Sequence, residues 1–324
     1  MGTITFEGST FISKDGETVL DCLLREGIHV TNSCRNGICH SCLLKTTTPL
    51  DGKSQKGLSP SKRESGYFLS CQQNVDTELE IFRPDTTTLL VDGKIISQER
   101  ISDSVVIIKV KTKEDYPFKA GQFTNIIRED GVCRSYSIAS QSGSDELEFH
   151  IRKVPNGLLS TWLYDKDLID TSIKLSEPLG ECCLSSEMDG KDLLLIGVGT
   201  GLAPLYGVLK DAMLSQKMGK INLMHGSLVK EGLYLVEDLK SLEKAHDFFN
   251  YHPLFLKGDE KEGFIKGDLV EYIKKFEFDK TNTIVMVCGD PLLVKSLKQT
   301  VFLAGVPSKN IFSDPFVSPS ANAK

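Results

Sequence analysis

The sequence predicts a multidomain fold, α+β in its first part and α/β in its last, with a β-rich segment between them. Three observations predict it. Three cysteines crowd one loop, Cys34-Arg-Asn-Gly-Ile-Cys39-His-Ser-Cys42, and a fourth, Cys71, follows among short strand and helix patterns. Residues 89–186 are runs of β-formers separated by turn residues. From 190 to 312, apolar runs alternate with helical patterns, and the first run leads straight into Gly197-Val-Gly199-Thr200-Gly201. The 324 residues suffice for two or three domains. A hydrophobic content of 40% and a charged content of 25% are those of an ordinary globular protein. The net charge of −6 argues against a nucleic-acid partner, which wants a basic surface. No stretch of about 18 apolar residues occurs, so no membrane span is expected. The N-terminus reads as a strand with no targeting pattern. Nine cysteines, an odd count, fit free thiols in a reducing compartment, so a cytoplasmic protein is expected, and a monomer is its expected state.

The first unit spans residues 1–86. Residues 3–6 and 10–12 alternate as paired strands around a turn at Gly8, and 79–82 closes the unit as another strand. Residues 18–26 form a short amphipathic helix stopped by Gly27, with Cys22 on its apolar side as a core residue. Ser59-Pro60 reads as a cap with proline at the first helical position. The spacing C-x4-C-x2-C with a later fourth cysteine is the ligand spacing of a [2Fe–2S] cluster, so Cys34, Cys39, Cys42 and Cys71 are candidate metal ligands. A structural zinc site is the alternative, but zinc ligands usually come as two close pairs. Gly37 allows the tight loop that brings backbone N–H groups to sulfur. Residues 84–88 read as a short linker.

The second unit, 89–186, reads as a small antiparallel barrel, with strands at 105–110, 123–127 and 147–154. Two of its segments suggest chemistry: Arg134-Ser-Tyr136-Ser137, and His150-Ile-Arg152-Lys-Val-Pro-Asn-Gly157-Leu-Leu-Ser160, which opens a helix over 158–164. Trp162 on that helix is expected to pack on the barrel. The third unit, 190–312, places strands at 193–196, 221–225, 251–255 and 283–287 between helical patterns, a doubly wound parallel sheet. Ligands bind beyond the strand C-termini of such a sheet, where small residues let the backbone approach a pyrophosphate. A tail, 313–324, ends the chain.

Taken together, these motifs resemble the ferredoxin–NAD(P)H reductase superfamily. The cysteine loop resembles a β-grasp ferredoxin. Gly121-Gln122-Phe, Arg134-x-Tyr136-Ser137 and Gly157-x-x-Ser160 resemble an FAD domain. Gly197-x-Gly199-Thr200-Gly201-x-x-Pro204 with Cys288-Gly289-Asp290-Pro291 resembles the NAD domain. The order, over residues 1–316, is that of the iron–sulfur flavoprotein reductases of bacterial oxygenases, such as those for benzoate dioxygenase, methane monooxygenase and phenol hydroxylase, and of the reductase of deoxysugar biosynthesis. The resemblance implies that Arg134, Tyr136, Ser137, His150 and Arg152 hold FAD, with Ser137 at its reacting edge, and that Cys288 places the nicotinamide, so Ser137 and Cys288 are the catalytic candidates. Arg134 and Arg152 offer fork-shaped donors to phosphate. Phe316 is the candidate aromatic for the flavin face, with a plain hydrophobic anchor as the alternative. Cys133, beside Arg134, is expected near the flavin and open to oxidation.

The implied activity passes electrons from a nicotinamide to FAD, then to the cluster, then to an external protein. No arginine occurs in 227–230 or 256–259, after the second and third strands, which favours NADH; Lys230 and Lys257 keep NADPH open. Electrons are expected to leave by Cys39 and Cys42 on an exposed loop, and the acceptor to dock near that Cys34–Cys42 loop, with Arg35 and His40 flanking it. That acceptor is expected to be an oxygenase component. A deoxysugar dehydratase is the alternative acceptor, and a redox sensor the alternative role.

Overall fold

A computed structural model describes residues 2–50, 52–84 and 89–317. Three sheets follow one another along the chain. The first has strands β1 (Thr3–Phe6), β2 (Ser9–Ile12), β3 (Leu43–Thr46), β4 (Tyr67–Leu69) and β5 (Leu79–Phe82) in the order β2-β1-β5-β3-β4. The pairing of β1 with β5 is parallel, across the whole unit. Helix α1 (Val19–Arg25) starts at Thr18, whose hydroxyl accepts from the Asp21 N–H, and buries Val19, Leu20, Cys22 and Leu23 against the sheet. Helix α2 (Pro60–Glu64) starts at Ser59 with proline at its first position, as the sequence predicts. Of the predicted linker, 85–88 lie outside the described residues.

The second sheet has β6 (Leu90–Arg100), β7 (Val105–Thr112), β8 (Phe123–Ile127), β9 (Cys133–Ser137), β10 (Glu146–Arg152) and β11 (Ser172–Ser176) in the order β10-β7-β6-β11-β8-β9. Its two edge strands curl together: the Ala139 N–H, just past β9, donates to the Glu148 carbonyl on β10 at 2.8 Å. That contact makes the sheet a barrel around Ile108, Phe149, Ile151 and Leu175. Helix α3 (Leu158–Asp165) caps it, with Trp162 packed on the barrel under the Arg128 guanidinium.

The third sheet is parallel: β12 (Asp192–Val198), β13 (Ile221–Val229), β14 (Phe249–Lys257), β15 (Ile265–Lys266), β16 (Thr283–Gly289) and β17 (Ile311–Pro315), in the order β15-β14-β13-β12-β16-β17. Helices α4 (Leu202–Ser215) and α5 (Val236–Ala245) cover one face; α6 (Leu269–Lys275) and α7 (Pro291–Leu303) cover the other. Two-sided burial is why β16, Thr-Ile-Val-Met-Val-Cys-Gly, is buried along its whole length. The expected tail from 313 begins inside β17, a strand the sequence reading missed because Ser313-Asp-Pro looks like a turn. Among the described residues, no helix is long and apolar enough to cross a membrane.

The barrel sits between the other two sheets. Helix α4 presses onto it so closely that a Cβ at Gly207 would lie 2.7 Å from the Ser140 carbonyl. On the other side Lys62 of α2 pairs with Glu177, just past β11.

Candidate functional site

The cysteine loop folds as its spacing requires. Arg35, Gly37 and His40 all take positive φ, which turns consecutive N–H groups inward. The Asn36 N–H donates to the Cys34 sulfur at 3.3 Å, the Cys39 N–H to the same sulfur at 3.4 Å, and the Gln72 amide to Cys71 at 3.4 Å. A Cβ at Gly37 would stand 3.0 Å from the Gln72 side chain, so Gly37 also makes room for this second-layer donor. All four thiols are buried, and they stand as two pairs. Hydrogen bonding within each pair lowers one thiol and raises the other: Cys34 is lowered by Cys39, and Cys71 by Cys42. Among the described residues, no three ligating side chains surround one point. Two thiol pairs ringed by N–H donors are the donor set of a two-iron cluster, and Cys34, Cys39, Cys42 and Cys71 would hold it.

In the third unit a single row of paired residues crosses the parallel sheet. His225 pairs with Gly197, Gly197 with Cys288, and Cys288 with Asp314. Register therefore collects four residues from distant parts of the sequence at the C-terminal edge of the sheet, where such folds bind ligands. The glycines are needed for close approach. A Cβ at Gly201 would lie 2.2 Å from the Cys288 carbonyl, and one at Gly289, at φ +128°, 2.8 Å from the Val198 carbonyl. Thr200 and the buried Pro204 continue the turn into α4. These residues fit a dinucleotide: a bare backbone turn with its N–H groups available, ending at a helix N-terminus. The Asp290 carboxylate caps α7 by accepting from the N–H groups of Leu292 and Leu293, with Pro291 at the first helical position.

Strands β8 and β9 of the barrel join the two ends. The Ser137 hydroxyl donates to the Asp314 carboxylate at 2.7 Å, next to Cys288 in the row. Burial raises the Asp314 carboxyl to about 6, against the pull of that hydrogen bond. Cys288 is fully buried, its thiol raised by burial and by Cys182 at 3.6 Å. Directly opposite Ser137 in the β8–β9 pairing, Phe123 packs against Cys34 and Cys39, together with Leu179 and Val317. The Asn125 amide donates to the Cys39 carbonyl at 2.7 Å, while its oxygen accepts from Ser135 at 2.8 Å. The Phe316 N–H donates to the Gly289 carbonyl and Val317 packs with Cys34 and Cys39, so residues 314–317 run from the sheet edge to the cysteine loop. Arg134, Tyr136 and Ser137 lie on β9 along this route, and Gly157 lies where a Cβ would meet the Ser160 hydroxyl at 2.3 Å. Arg134, Tyr136 and Ser137 therefore lie on a strand that runs between the cysteine loop and the sheet edge.

Several predicted contacts have other duties. Gly121, at φ +90°, faces the Cys182 carbonyl and Val208, so close packing with α4 explains it. The Gln122 amide closes its own turn by accepting from Lys119 N–H. Both ring nitrogens of His150 are engaged, by Glu148 and by the Tyr234 hydroxyl, at 3.0 Å each, which leaves neither for a cofactor. The Ser160 hydroxyl accepts from the Val154 N–H, and Arg152 is exposed. Cys133 is buried and its thiol is pushed up to about 12, which protects it from oxidation rather than exposing it. Cys39 and Cys42 are not exposed, and the Cys39 side of the loop faces the barrel; the open surface is at Asn36 and Ile38. Asp314, Asn125 and His225 were missed: each is a single polar residue in a strand, brought to the site by register, with no local motif to mark it.

Three sequence-family models match the chain: a 2Fe-2S iron-sulfur cluster binding domain over residues 4–76, an oxidoreductase FAD-binding domain over 92–183 and an oxidoreductase NAD-binding domain over 195–299. The chain is similar to the reductase subunit of an aromatic O-demethylase from Amycolatopsis, with 30% identity over 78% of this chain and 80% of that one. It is also similar to the ferredoxin–NAD(P)+ reductase component of the naphthalene 1,2-dioxygenase system of Pseudomonas putida, with 27% identity over 93% and 94%. Among solved structures, an Amycolatopsis cytochrome P450 reductase shares the fold at a TM-score of 0.69 and 24% identity, covering 98% of this chain and 99% of that one.

Proposed function

Since the chain belongs to the ferredoxin–NAD(P)H reductase superfamily, as an iron–sulfur flavoprotein oxidoreductase with all three domains, we propose that it is the reductase component of an oxygenase system and that it prefers NADH. When bound, FAD takes electrons in pairs from the reduced nicotinamide and releases them singly to the cluster. The chain's own residues set that order. Cys288 and the Gly199–Gly201 turn hold the nicotinamide nucleotide against Ser137 and Asp314. Arg134 and Tyr136 orient the flavin, and Phe123 and Asn125 hold the cysteine loop beside it. The observation that carries the reading is that β8–β9 touch both ends: Ser137 bonds Asp314, and Asn125 bonds Cys39.

The acceptor docks over Asn36 and the half-exposed Ile38, because the other side of the loop is taken by the barrel. NADH is favoured because Lys230, the cation nearest the end of β13, is engaged by Glu231 at 3.7 Å, a carboxylate that repels a 2′-phosphate. Two measurements test the proposal. NADH should exceed NADPH in kcat/KM. Mixing the reduced protein with a terminal oxygenase should give NADH-dependent hydroxylation; transfer to a pyridoxamine-dependent dehydratase in its place would assign the other acceptor class.

A further inference from the structure

His225 is fully buried in β13 and belongs to no motif. Its Nε2 lies 3.3 Å from the Gly199 carbonyl, and its Nδ1 lies 3.2 Å from the Tyr251 hydroxyl on β14. A carbonyl oxygen can only accept, so Nε2 carries the proton. Nδ1 is then a bare lone pair and accepts from Tyr251. Burial depresses the imidazole to about 4, so the ring is neutral and has one N–H to give. The Tyr234 ring stands edge-on to it at 5.4 Å and 89°, closing the pocket.

The Gly199 carbonyl is the first C=O of the glycine-rich turn. A trans peptide places C=O and the following N–H on opposite sides. A Gly199 carbonyl held inward by His225 therefore points the Thr200 N–H outward. Gly199 has φ +56°, and its carbonyl also accepts from the Leu202 N–H, so the His225 bond adds to the turn's own backbone bond in holding this peptide.

We propose that His225 and Tyr251 are positioning residues for the pyridine dinucleotide: Tyr251 locks the His225 tautomer, His225 holds the Gly199 carbonyl inward, and the Thr200 N–H is thereby aimed at the pyrophosphate. This rests on the assignment of the glycine-rich turn to a dinucleotide. Without the Tyr251 hydroxyl, Nδ1 loses its donor. The ring then either keeps an unsatisfied lone pair or flips its proton and sets the Nε2 lone pair against the Gly199 oxygen. Both weaken the hold on the turn.

The test is Tyr251→Phe, which keeps the ring and its packing, made in the holoenzyme. NAD+ is titrated into wild type and variant by calorimetry. The Kd for NAD+ should rise ~5–10-fold, as for the loss of about one net hydrogen bond. The KM for NADH should rise in parallel while kcat, FAD content and iron content stay at wild-type values. His225→Ala should show at least the same loss if it folds; Tyr251→Phe carries the test if it does not. An unchanged Kd in Tyr251→Phe, or a loss confined to kcat, overturns the inference. Failure of the wild type itself to bind NAD+ overturns the dinucleotide reading first and the inference with it.

Discussion

The cysteine loop and the edge of the parallel sheet do the same physical work in opposite ways. Both present backbone N–H groups to a bound group. The loop does it mostly locally: three of the four ligands and the backbone donors lie within residues 34–42, bent by positive φ at Arg35, Gly37 and His40, and only Cys71 and the Gln72 amide come from outside. The sheet edge does it by register: Gly197, His225, Cys288 and Asp314 meet only because four strands pair in step. A local site fails as a unit when one ligand is lost. A distributed site fails in increments, because each strand is held by its own core.

The largest effect expected is at the local site. Cys71→Ser should bring NADH-dependent cytochrome c reduction to background and remove the cluster's visible absorbance, while NADH-to-ferricyanide turnover stays intact. Equal loss of both activities in a folded variant would break the contrast, because it would place the cluster before the flavin. At the sheet edge, Gly201→Ala would place a methyl group 2.2 Å from the Cys288 carbonyl. Overpacking of this kind costs about 1–3 kcal/mol, roughly 5- to 150-fold in NADH kcat/KM. Here both acceptors should suffer equally, since electrons enter at this end.

The two sites were also unequally legible. The cluster ligands could be read directly, because a C-x4-C-x2-C loop encodes its geometry in adjacent residues. The glycine turn and Cys288 could be read as motifs at strand ends. Asp314 could not: Ile311-Phe-Ser-Asp-Pro is too short and broken a strand pattern, and its pairing with β16 depends on the whole sheet. Asn125 and His225 sit in apolar strands where a single polar residue has no pattern to join. His150 shows the converse. It stands beside a motif, but Glu148 on its own strand and Tyr234 from the neighbouring domain claim its ring.

Asp314 allows a smaller test through pH. Its native carboxyl keeps its proton up to about 6, whereas in the unfolded chain it releases it near the ordinary value of about 3.9. Between those values the native state binds more protons, so stability falls as pH rises through the window and stays lower above it. Asp314→Asn removes that penalty. Its melting temperature should exceed wild type above about pH 6, and the gain should vanish below about pH 4. The same variant should slow NADH oxidation if Ser137 needs its partner. A pH-independent difference in melting temperature would show that Asp314 is not held in its raised state.

The smallest effect expected is also the one that tests whether the two regions are joined. Asn125 lies on the barrel, not in the cluster loop, yet its amide holds the Cys39 carbonyl. Asn125→Ala removes that bond without touching a ligand. The loss of about 1 kcal/mol of fixation should slow cytochrome c reduction a few-fold, at unchanged iron content and unchanged ferricyanide turnover. Ile38→Ala, on the open side of the loop, should raise the KM for the terminal oxygenase and leave iron content and ferricyanide turnover unchanged. If the two variants behaved alike, the loop would have a single functional side and the barrel contact would serve folding only. Different behaviour would mean that electrons enter the cluster through the Cys39 side and leave past Ile38. The loop would then be a junction with two faces, one fixed by this chain and one left for the partner.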